Sequence, residues 1–461
     1  MQNPFPNRSL IIRRGIVAAA IILLIKVASL QVFDPSYEQQ AEARTLDKQT
    51  LYPSRGLIYD RDGQLLVFNN PIYDINVIYD KIDPEMDTAR FCELLDISRE
   101  DFVRNLSKNW ATRQYSKSVP FTFLRHVTPD RFAAFQESLY EFPGFTPVLR
   151  NVRGYRYPSA AHTLGYISEV DQATVETYEG HYVVGDYIGT SGIEKTYESL
   201  LKGQKGISYV LRDNLGREVG SISEGKLDSA AISGLDLQLS LDIELQQYAE
   251  LLLRNKKGSI VCIEPATGEV LAMASAPGYD PSALTIHRYR GQAFSALQQD
   301  TLKPFFDRSV MAAYAPGSIF KPILALIAMQ EHVLKPNRTI YCDGAYRYRH
   351  FSYGCHDHIT PYNVSMALQH SCNSYFFQTF RDLVEKEGFN RPARGLTTLN
   401  NYLREFGLDA PLGIDLPHEK GGNVPGPEYY DKLYANDAWR STYIMSLGIG
   451  QGELQLTTLQ M

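Results

Sequence analysis

Between Leu235 and Asp242 the chain alternates strictly, with Leu235, Leu237, Leu239 and Leu241 set against Asp236, Gln238, Ser240 and Asp242. Successive side chains of a strand point to opposite faces, so this stretch predicts a half-buried strand. Asp242 stands where a helix cap is needed. A helix is predicted from there through about Asn255, with Leu245, Tyr248 and Leu252 on its apolar face. Two apolar runs, Gly258–Glu264 and Glu269–Ser275, flank Pro265-Ala266-Thr267-Gly268, the pattern of a hairpin. Upstream, Asp62-Gly63 between apolar runs predicts another hairpin and Asn70-Pro71 a further turn. Ile72–Tyr79, rich in β-branched and aromatic residues, reads as a strand. Helical periodicity dominates 318–331 and 363–386. Residues 34–52 read as a polar helical stalk, 82–145 as mixed and largely helical, and 150–233 as short segments punctuated by glycine.

The longest apolar run is of another kind. Gly15–Phe33 (GIVAAAIILLIKVASLQVF) carries one charge, Lys26, in 19 residues. About 20 apolar residues cross a bilayer, so the length suffices. Arg8, Arg13 and Arg14 precede it, and Asp34, Glu38 and Glu42 follow. A basic flank stays cytoplasmic, which predicts a single-pass anchor in the inner (cytoplasmic) membrane with the rest of the chain outside. Lys26 costs roughly 2.5–3.5 kcal/mol at a helix centre, offset in part by its aliphatic neighbours and by snorkelling. A cleaved signal peptide competes, because Gly15–Ile25 has the length of a signal h-region and Val27 and Ser29 make a poor cleavage site.

Composition narrows the class. The 461 residues allow two to four domains, and 44% hydrophobic with 21% charged residues excludes a mainly disordered chain. Lys plus Arg number 46 against 52 Asp plus Glu, a net charge of −6, which argues against a nucleic-acid binder. Five cysteines, odd in number and sparse, exclude a disulfide scaffold. The expected architecture is α+β and multidomain: a cytoplasmic tail 1–14, the anchor 15–33, an α+β region 34–234, and an α/β domain 235–461.

The sharpest chemical feature is Ala315-Pro316-Gly317-Ser318-Ile319-Phe320-Lys321-Pro322. Pro-Gly makes a turn and an apolar helical pattern follows, so Ser318 falls at a helix start and Lys321, three residues on, shares its face. A serine hydroxyl needs a base to become a nucleophile, and a lysine kept neutral by burial and nearby positive charge can serve. Ser-x-x-Lys alone is weak, since it recurs at Ser199/Lys202 and Ser223/Lys226. Downstream, Ser371-Cys372-Asn373 sets a hydroxyl and an amide one residue apart, suited to a proton relay and a substrate hydrogen bond. Ser107-Lys108-Asn109 repeats that string too. The order is what distinguishes the set: hairpin, Ser-x-x-Lys at a helix start, then Ser-x-Asn about fifty residues on between helical segments.

With these motifs the chain resembles class B penicillin-binding proteins of the elongation type. The likeness also runs through Arg55-Gly56, Asp60-Arg61-Asp62-Gly63, Arg156-Tyr157-Pro158, Ala161-His162, Leu164-Gly165-Tyr166 and Ser191-Gly192-Ile193-Glu194-Lys195. It continues in Glu264-Pro265-Ala266-Thr267-Gly268 and Gly448-Ile449-Gly450-Gln451-Gly452-Glu453. The superfamily is marked by Ser-x-x-Lys, Ser-x-Asn and Lys-Thr-Gly. The resemblance implies an N-terminal anchor, a pedestal of the dimerisation type with a head inserted at about 82–150, and a serine β-lactamase-like transpeptidase domain with an antiparallel sheet and helices. It implies DD-transpeptidation of peptidoglycan stem peptides. Ser318 would be nucleophile, Lys321 general base, Ser371 proton relay, Asn373 substrate ligand, and the Ser318 N–H an oxyanion donor. No cofactor is required for that chemistry. Implied partners are lipid II-derived strands, β-lactams, a SEDS-family glycosyltransferase and elongation-complex proteins. A catalytically silent scaffold for that glycosyltransferase, or a β-lactam sensor, are the rival readings; a sensor needs several spans and a cytoplasmic output domain.

One departure stands out, for no Lys-Ser/Thr-Gly occurs in the sequence. Relatives carry it on a strand after the Gly-Gln-Gly segment, so the expectation is a C-terminally truncated product lacking the later strands of the sheet. Loss of a second oxyanion donor costs about 10²–10³ in rate, so the chain alone is expected to be poorly active.

A second cluster comprises Cys342, Cys355-His356-Asp357-His358 and Cys372. Cys342, Cys355, His358 and Cys372 make a three-thiolate, one-imidazole set fit for tetrahedral zinc, with His356 as a substitute for His358. The resemblance implies a metal in this place in some relatives, with other ligand types. A Cys342–Cys355 disulfide and unpaired thiols stay open beside it. Gly448-x-Gly450-x-Gly452 lacks the strand–loop–helix setting of a dinucleotide loop. His126 and His162 read as structural, and Cys92 and Cys262 as buried small apolar groups.

Overall fold

A computed structural model describes residues 6–28, 46–110, 117–178, 181–212, 218–221, 226–287, 289–435 and 438–461. The architecture is α+β, in two compact units assembled from non-consecutive segments. One takes Met1–Arg55, Pro71–Asn151 and Lys202–Leu235; the other takes Gly56–Asn70, Val152–Leu201 and Asp236–Met461.

In the first unit the helix Pro6–Ala28 begins before the expected Gly15. Residues 29–33 of the expected anchor, and 34–45 of the expected stalk, lie outside the described residues. Among the described residues no helix is long and apolar enough to cross a membrane. The C-terminal part of the expected helical stalk is instead a strand, Leu46–Leu51, held antiparallel against Gly206–Arg212. The 82–145 region forms helices Thr88–Leu95, Arg99–Leu106 and Pro129–Glu137 and the strand Phe121–Val127. Asp87 and Ser98 cap the first two by accepting N–H bonds. Phe91 centres the core, edge-on to Phe102, Phe123, Phe135 and Phe142 at 5.0–5.6 Å, the geometry that aromatic quadrupoles favour. The turn expected at Asn70-Pro71 does not form, because one strand runs from Leu65 to Val77. Pro71 is exposed there and so leaves no buried position without its missing donor.

In the second unit the Asp62-Gly63 hairpin forms as expected. Gly63 takes φ +81° and Asp60 Oδ1 accepts the N–H groups of Asp62 and Gln64. The strand expected at Leu235–Leu241 shrinks to Leu237–Gln238; Ser240 Oγ and the Asp242 N–H donate to the Val270 and Leu271 carbonyls of the 258–276 hairpin, while the strand itself pairs parallel with Ile58–Tyr59. Leu57 N–H donating to Asp236 Oδ1, and Gln238 Nε2 donating to Arg61 O, pin it there. Asp242 caps the helix Ile243–Leu252. Its buried face is Ile243, Gln246 and Ala249, with Tyr248 and Leu252 exposed, so the expected face is rotated. The reason is Gln246, whose amide accepts the Met273 N–H at 2.7 Å and donates to the Met273 carbonyl at 3.0 Å, so a polar side chain is satisfied inside. The hairpin Gly258–Ile263/Val270–Ala276 pairs in the register Ser259 to Ser275, closed by Gly268 at φ +79°. The largest core gathers Leu324, Tyr375, Phe376, Phe380, Leu396 and Leu399, from helices Lys321–Gln330, Asn373–Val384 and Pro392–Glu405. It is this core that holds the chemistry-bearing helices together.

Candidate active site

Pro316-Gly317 turns the chain into a short 3-10 segment, Gly317–Phe320, which continues as the α-helix Lys321–Gln330. Pro322 lies in its first turn, where a missing N–H leaves nothing unsatisfied. Ser318 is exposed while Lys321 is 1% exposed, so one turn presents a hydroxyl at the surface and holds an amine beneath it.

The ammonium is fully used. Lys321 Nζ donates to the Ser371 carbonyl at 2.7 Å, to Ser371 Oγ at 3.0 Å and to Asn373 Oδ1 at 2.7 Å, which accounts for its three protons. Ser371 Oγ in turn donates to Ser318 Oγ at 2.9 Å. The four expected residues therefore meet in one hydrogen-bonded chain, with Ser371 between the exposed hydroxyl and the buried amine. Burial lowers the Lys321 pKa, opposed by the nearby sulfurs of Cys355 and Cys372. Desolvation favours the neutral amine, the form that accepts a proton.

The helical stretch 363–386 is broken at Ser-x-Asn, which lies between helical segments as expected, and the break makes the site. Val364–Gln369 ends, the chain turns, and Asn373–Val384 begins. Ser371 sits in the turn at φ 48°, a left-handed conformation that a side chain other than glycine adopts at a cost of roughly 1–2 kcal/mol. The turn brings its carbonyl and its hydroxyl to the same ammonium. Cys372 caps the second helix, its Sγ accepting the Tyr375 N–H at 3.3 Å. Asn373 Nδ2 reaches the Gly354 carbonyl at 3.4 Å, at the end of the hairpin Ala345–Gly354. Sequence reasoning missed this hairpin, although Tyr346, Tyr348, Phe351 and Tyr353 supply the aromatic alternation that marks one. Of the repeated Ser-x-x-Lys strings, Ser223 lies outside the described residues.

Comparison with known proteins identifies the family. Residues 50–239 match the penicillin-binding protein dimerisation domain, and residues 258–461 the penicillin-binding protein transpeptidase domain. The chain is 31% identical over 472 residues to the peptidoglycan D,D-transpeptidase MrdA of Escherichia coli K12, covering 99% of this chain and 71% of that protein. This chain belongs to the penicillin-binding transpeptidases. The MrdA protein of Haemophilus influenzae is 28% identical over 477 residues, covering 100% of this chain and 69% of its own. Among solved structures, the Helicobacter pylori penicillin-binding protein PBP2 in complex with MreC superposes with a TM-score of 0.72 at 24% identity, over 90% of this chain and 76% of that one. A chain of a peptidoglycan synthase complex, described as coordinating polymerization and crosslinking, gives 0.67 at 25% identity over 98% and 76%. The fold is therefore that of a dimerisation pedestal joined to a transpeptidase domain.

Against the same helix lies the cysteine–histidine cluster. One ligand atom from each of Cys342, Cys355, His358 and Cys372 falls within 4.8 Å of all the others. Cys355 Sγ is 3.3 Å from His358 Nε2 and 4.0 Å from Cys372 Sγ, and the cysteines are unbridged. Thiolates at about 2.3 Å and an imidazole at about 2.0 Å around a tetrahedral zinc stand roughly 3.5–3.8 Å apart, so the donor set fits with a small contraction. His358 also places Nδ1 2.8 Å from the Ile359 carbonyl, which orients Nε2 toward the sulfurs. His356 is turned away, with Nε2 on the His370 carbonyl at 2.8 Å, so it does not replace His358. Burial pushes the Cys355 thiol up, but the N–H groups of Ser374 and Asn373 and the His358 ring outweigh it and bring its pKa down. Burial and the neighbouring sulfurs push Cys372 up. Two of the sulfurs also hold the first turn of the Asn373 helix, since Cys355 Sγ accepts the Asn373 N–H at 3.2 Å and Cys342 Sγ bonds to Ser374 Oγ at 3.2 Å. Cys92 is buried as expected, whereas Cys262 is only half-buried.

Proposed function

We propose that this chain is a serine-type D,D-transpeptidase that crosslinks peptidoglycan stem peptides during cell elongation, with Ser318 as nucleophile. The observation that carries the role of each residue is the chain Ser318 Oγ–Ser371 Oγ–Lys321 Nζ–Asn373 Oδ1, at 2.9, 3.0 and 2.7 Å. With Lys321 neutral, its lone pair accepts the Ser371 proton while Ser371 Oγ accepts the Ser318 proton. The freed Ser318 oxygen attacks the carbonyl of a D-Ala-D-Ala peptide. The Ser318 N–H, free at the start of the 3-10 turn, donates to the developing oxyanion. The proton returns through Ser371 to the leaving amine, D-Ala departs, and a serine ester remains. An amine from a second stem peptide then attacks that ester, losing its proton by the same route, and releases Ser318 as the crosslink forms. Asn373 holds the donor peptide through the face of its amide not engaged by Lys321. β-Lactams acylate the same oxygen.

Cys342, Cys355, His358 and Cys372 would hold a structural zinc, which supplies no chemistry to the reaction and stiffens the turn carrying Ser371 and Asn373. The segment Gly15–Phe33, basic before and acidic after, supports a single-pass inner-membrane anchor with the catalytic domain outside. Residues 34–234 would form the pedestal and 235–461 the transpeptidase domain. The pedestal would engage a SEDS-family glycosyltransferase and elongation-complex proteins, by analogy with the Helicobacter PBP2 solved with MreC. Incubation of the full chain with a fluorescent penicillin is expected to give one covalent adduct, formed slowly because one oxyanion donor is lacking (about 10²–10³ in rate), mapped by peptide mass to Ser318 and absent from Ser318→Ala. An adduct on another residue, or one that survives Ser318→Ala, would overturn the assignment.

A further inference from the structure

The proposed chemistry leaves one motif without a role, Gly448-Ile449-Gly450-Gln451-Gly452. The 3-10 segment Met445–Ile449 ends on Gly450 in the left-handed conformation, φ +69°. The Gly450 carbonyl accepts the N–H of Gly317, the residue before Ser318, at 2.7 Å. A Cβ on Gly450 would stand 2.2 Å from the Gly317 carbonyl oxygen and 2.8 Å from Phe320 Cβ. On the other side of the same turn, a Cβ on Gly448 would stand 2.6 Å from Phe380 Cβ and 3.2 Å from the Phe376 carbonyl, both on the helix that begins at Asn373. Two missing side chains thus let one turn press against the nucleophile's turn and against the helix of its partner. Gly452 provides the contrast. It shares the left-handed backbone, φ +73°, yet a Cβ there would meet nothing nearer than Ser446 Cβ at 3.4 Å, within its own turn.

We infer that Gly450 is a positioning residue for acyl transfer: its bare Cα and its carbonyl bond to Gly317 set the Ser318 turn against the Asn373 helix, and so set the Ser318–Ser371 hydrogen bond. This rests on Ser318 being the nucleophile. A shift of about 1 Å between reacting groups costs roughly 10²-fold in rate. The test is adduct formation between the full chain and a fluorescent penicillin, followed over a range of drug concentrations so that reversible binding separates from acylation. Hydrogen–deuterium exchange of the peptide containing Gly317 runs alongside.

Gly450→Ala is expected to slow acylation about 100-fold with reversible binding unchanged, and to speed exchange at Gly317. Gly452→Ala carries the same backbone cost and is expected to leave all three readings at those of the unmodified chain. Gly448→Ala is expected to slow acylation as well. Equal acylation in Gly450→Ala and Gly452→Ala would overturn the inference. So would a collapse of folding in both Gly448→Ala and Gly450→Ala, since the motif would then serve stability alone. If the unmodified chain forms no Ser318 adduct, the nucleophile assignment itself fails and takes this inference with it. If it forms one and Gly450→Ala matches its rate, only the positioning role fails.

Discussion

In the proposed mechanism Lys321 is the residue on which the chemistry turns. Burial holds its pKa below the ordinary 10.5, and a base must be neutral to act. Acylation should therefore rise with pH as the ammonium loses its proton, and the midpoint of that rise should lie below 10.5. A pH–rate profile of penicillin acylation checks this, with Lys321→Met expected to lose about 10²–10⁴ in rate and the rise along with it. A profile in the mutant still climbing through the same midpoint would assign the titration to another group. Ser318 and Lys321 were legible in the sequence because three residues on one turn fix their shared face whatever surrounds them. Gln246 was not, because an amide reads as a surface group until the Met273 backbone that satisfies it is in place. The interior position of a polar residue is a property of its partner, and the partner here is 27 residues away.

The elements that sequence periodicity located best were those stabilised by their own neighbours: the Asp62-Gly63 hairpin, the Asp242-capped helix and the 258–276 hairpin. The one that matters most for function, Ser-x-Asn between helical segments, is found there, but where the break falls is not set by periodicity. Apolar spacing across 363–386 fits a single helix, and nothing local forbids it. What fixes the break is largely tertiary: the Lys321 ammonium takes the Ser371 carbonyl and Cys355 Sγ the Asn373 N–H, while Cys372 caps locally, its Sγ accepting the Tyr375 N–H. Those N–H groups are the orphans of a helix start, normally capped by oxygen. A zinc gathering these sulfurs would fix the break. The full chain is expected to carry one zinc by elemental analysis, lost in Cys372→Ser. Chelation is expected to lower the unfolding temperature of the unmodified chain only, because a ligand bound to the native state alone adds its binding free energy to stability. A mass change of 2 Da on reduction, with no metal, would favour a disulfide instead.

At the scale of the whole chain, the unit that carries the site is woven from three separated segments, and one side chain ties two of them, Gly56–Asn70 and Val152–Leu201. Arg153 is 1% exposed. Its Nε donates to Glu194 Oε1 at 2.6 Å, its Nη1 to Asn69 Oδ1 at 2.9 Å and its Nη2 to the Gly56 carbonyl at 2.7 Å. Glu194 is fully buried too. Neither charge could stand there alone, since removing one member of a buried pair leaves the other desolvated without compensation. Glu194→Ala is expected to cost about 3–5 kcal/mol, read as a fall in the denaturant midpoint of the full chain. Replacing both, as Arg153→Met with Glu194→Leu, removes the desolvation cost of both ions together with their attraction, so the double variant is expected to be more stable than Glu194→Ala. Arg153 also bonds Asn69 and Gly56, so the double variant should still fall below the unmodified chain, by the worth of those two bonds. If instead it proved the least stable of the three, the arginine would be acting chiefly as a hydrogen-bonding hub for the 56–70 segment rather than as a partner for the carboxylate. The Ser318 adduct measured in the same proteins separates the two scales. A purely structural tie lowers the midpoint and leaves acylation of the folded fraction untouched, because no atom of this pair belongs to the Ser318–Ser371–Lys321 chain.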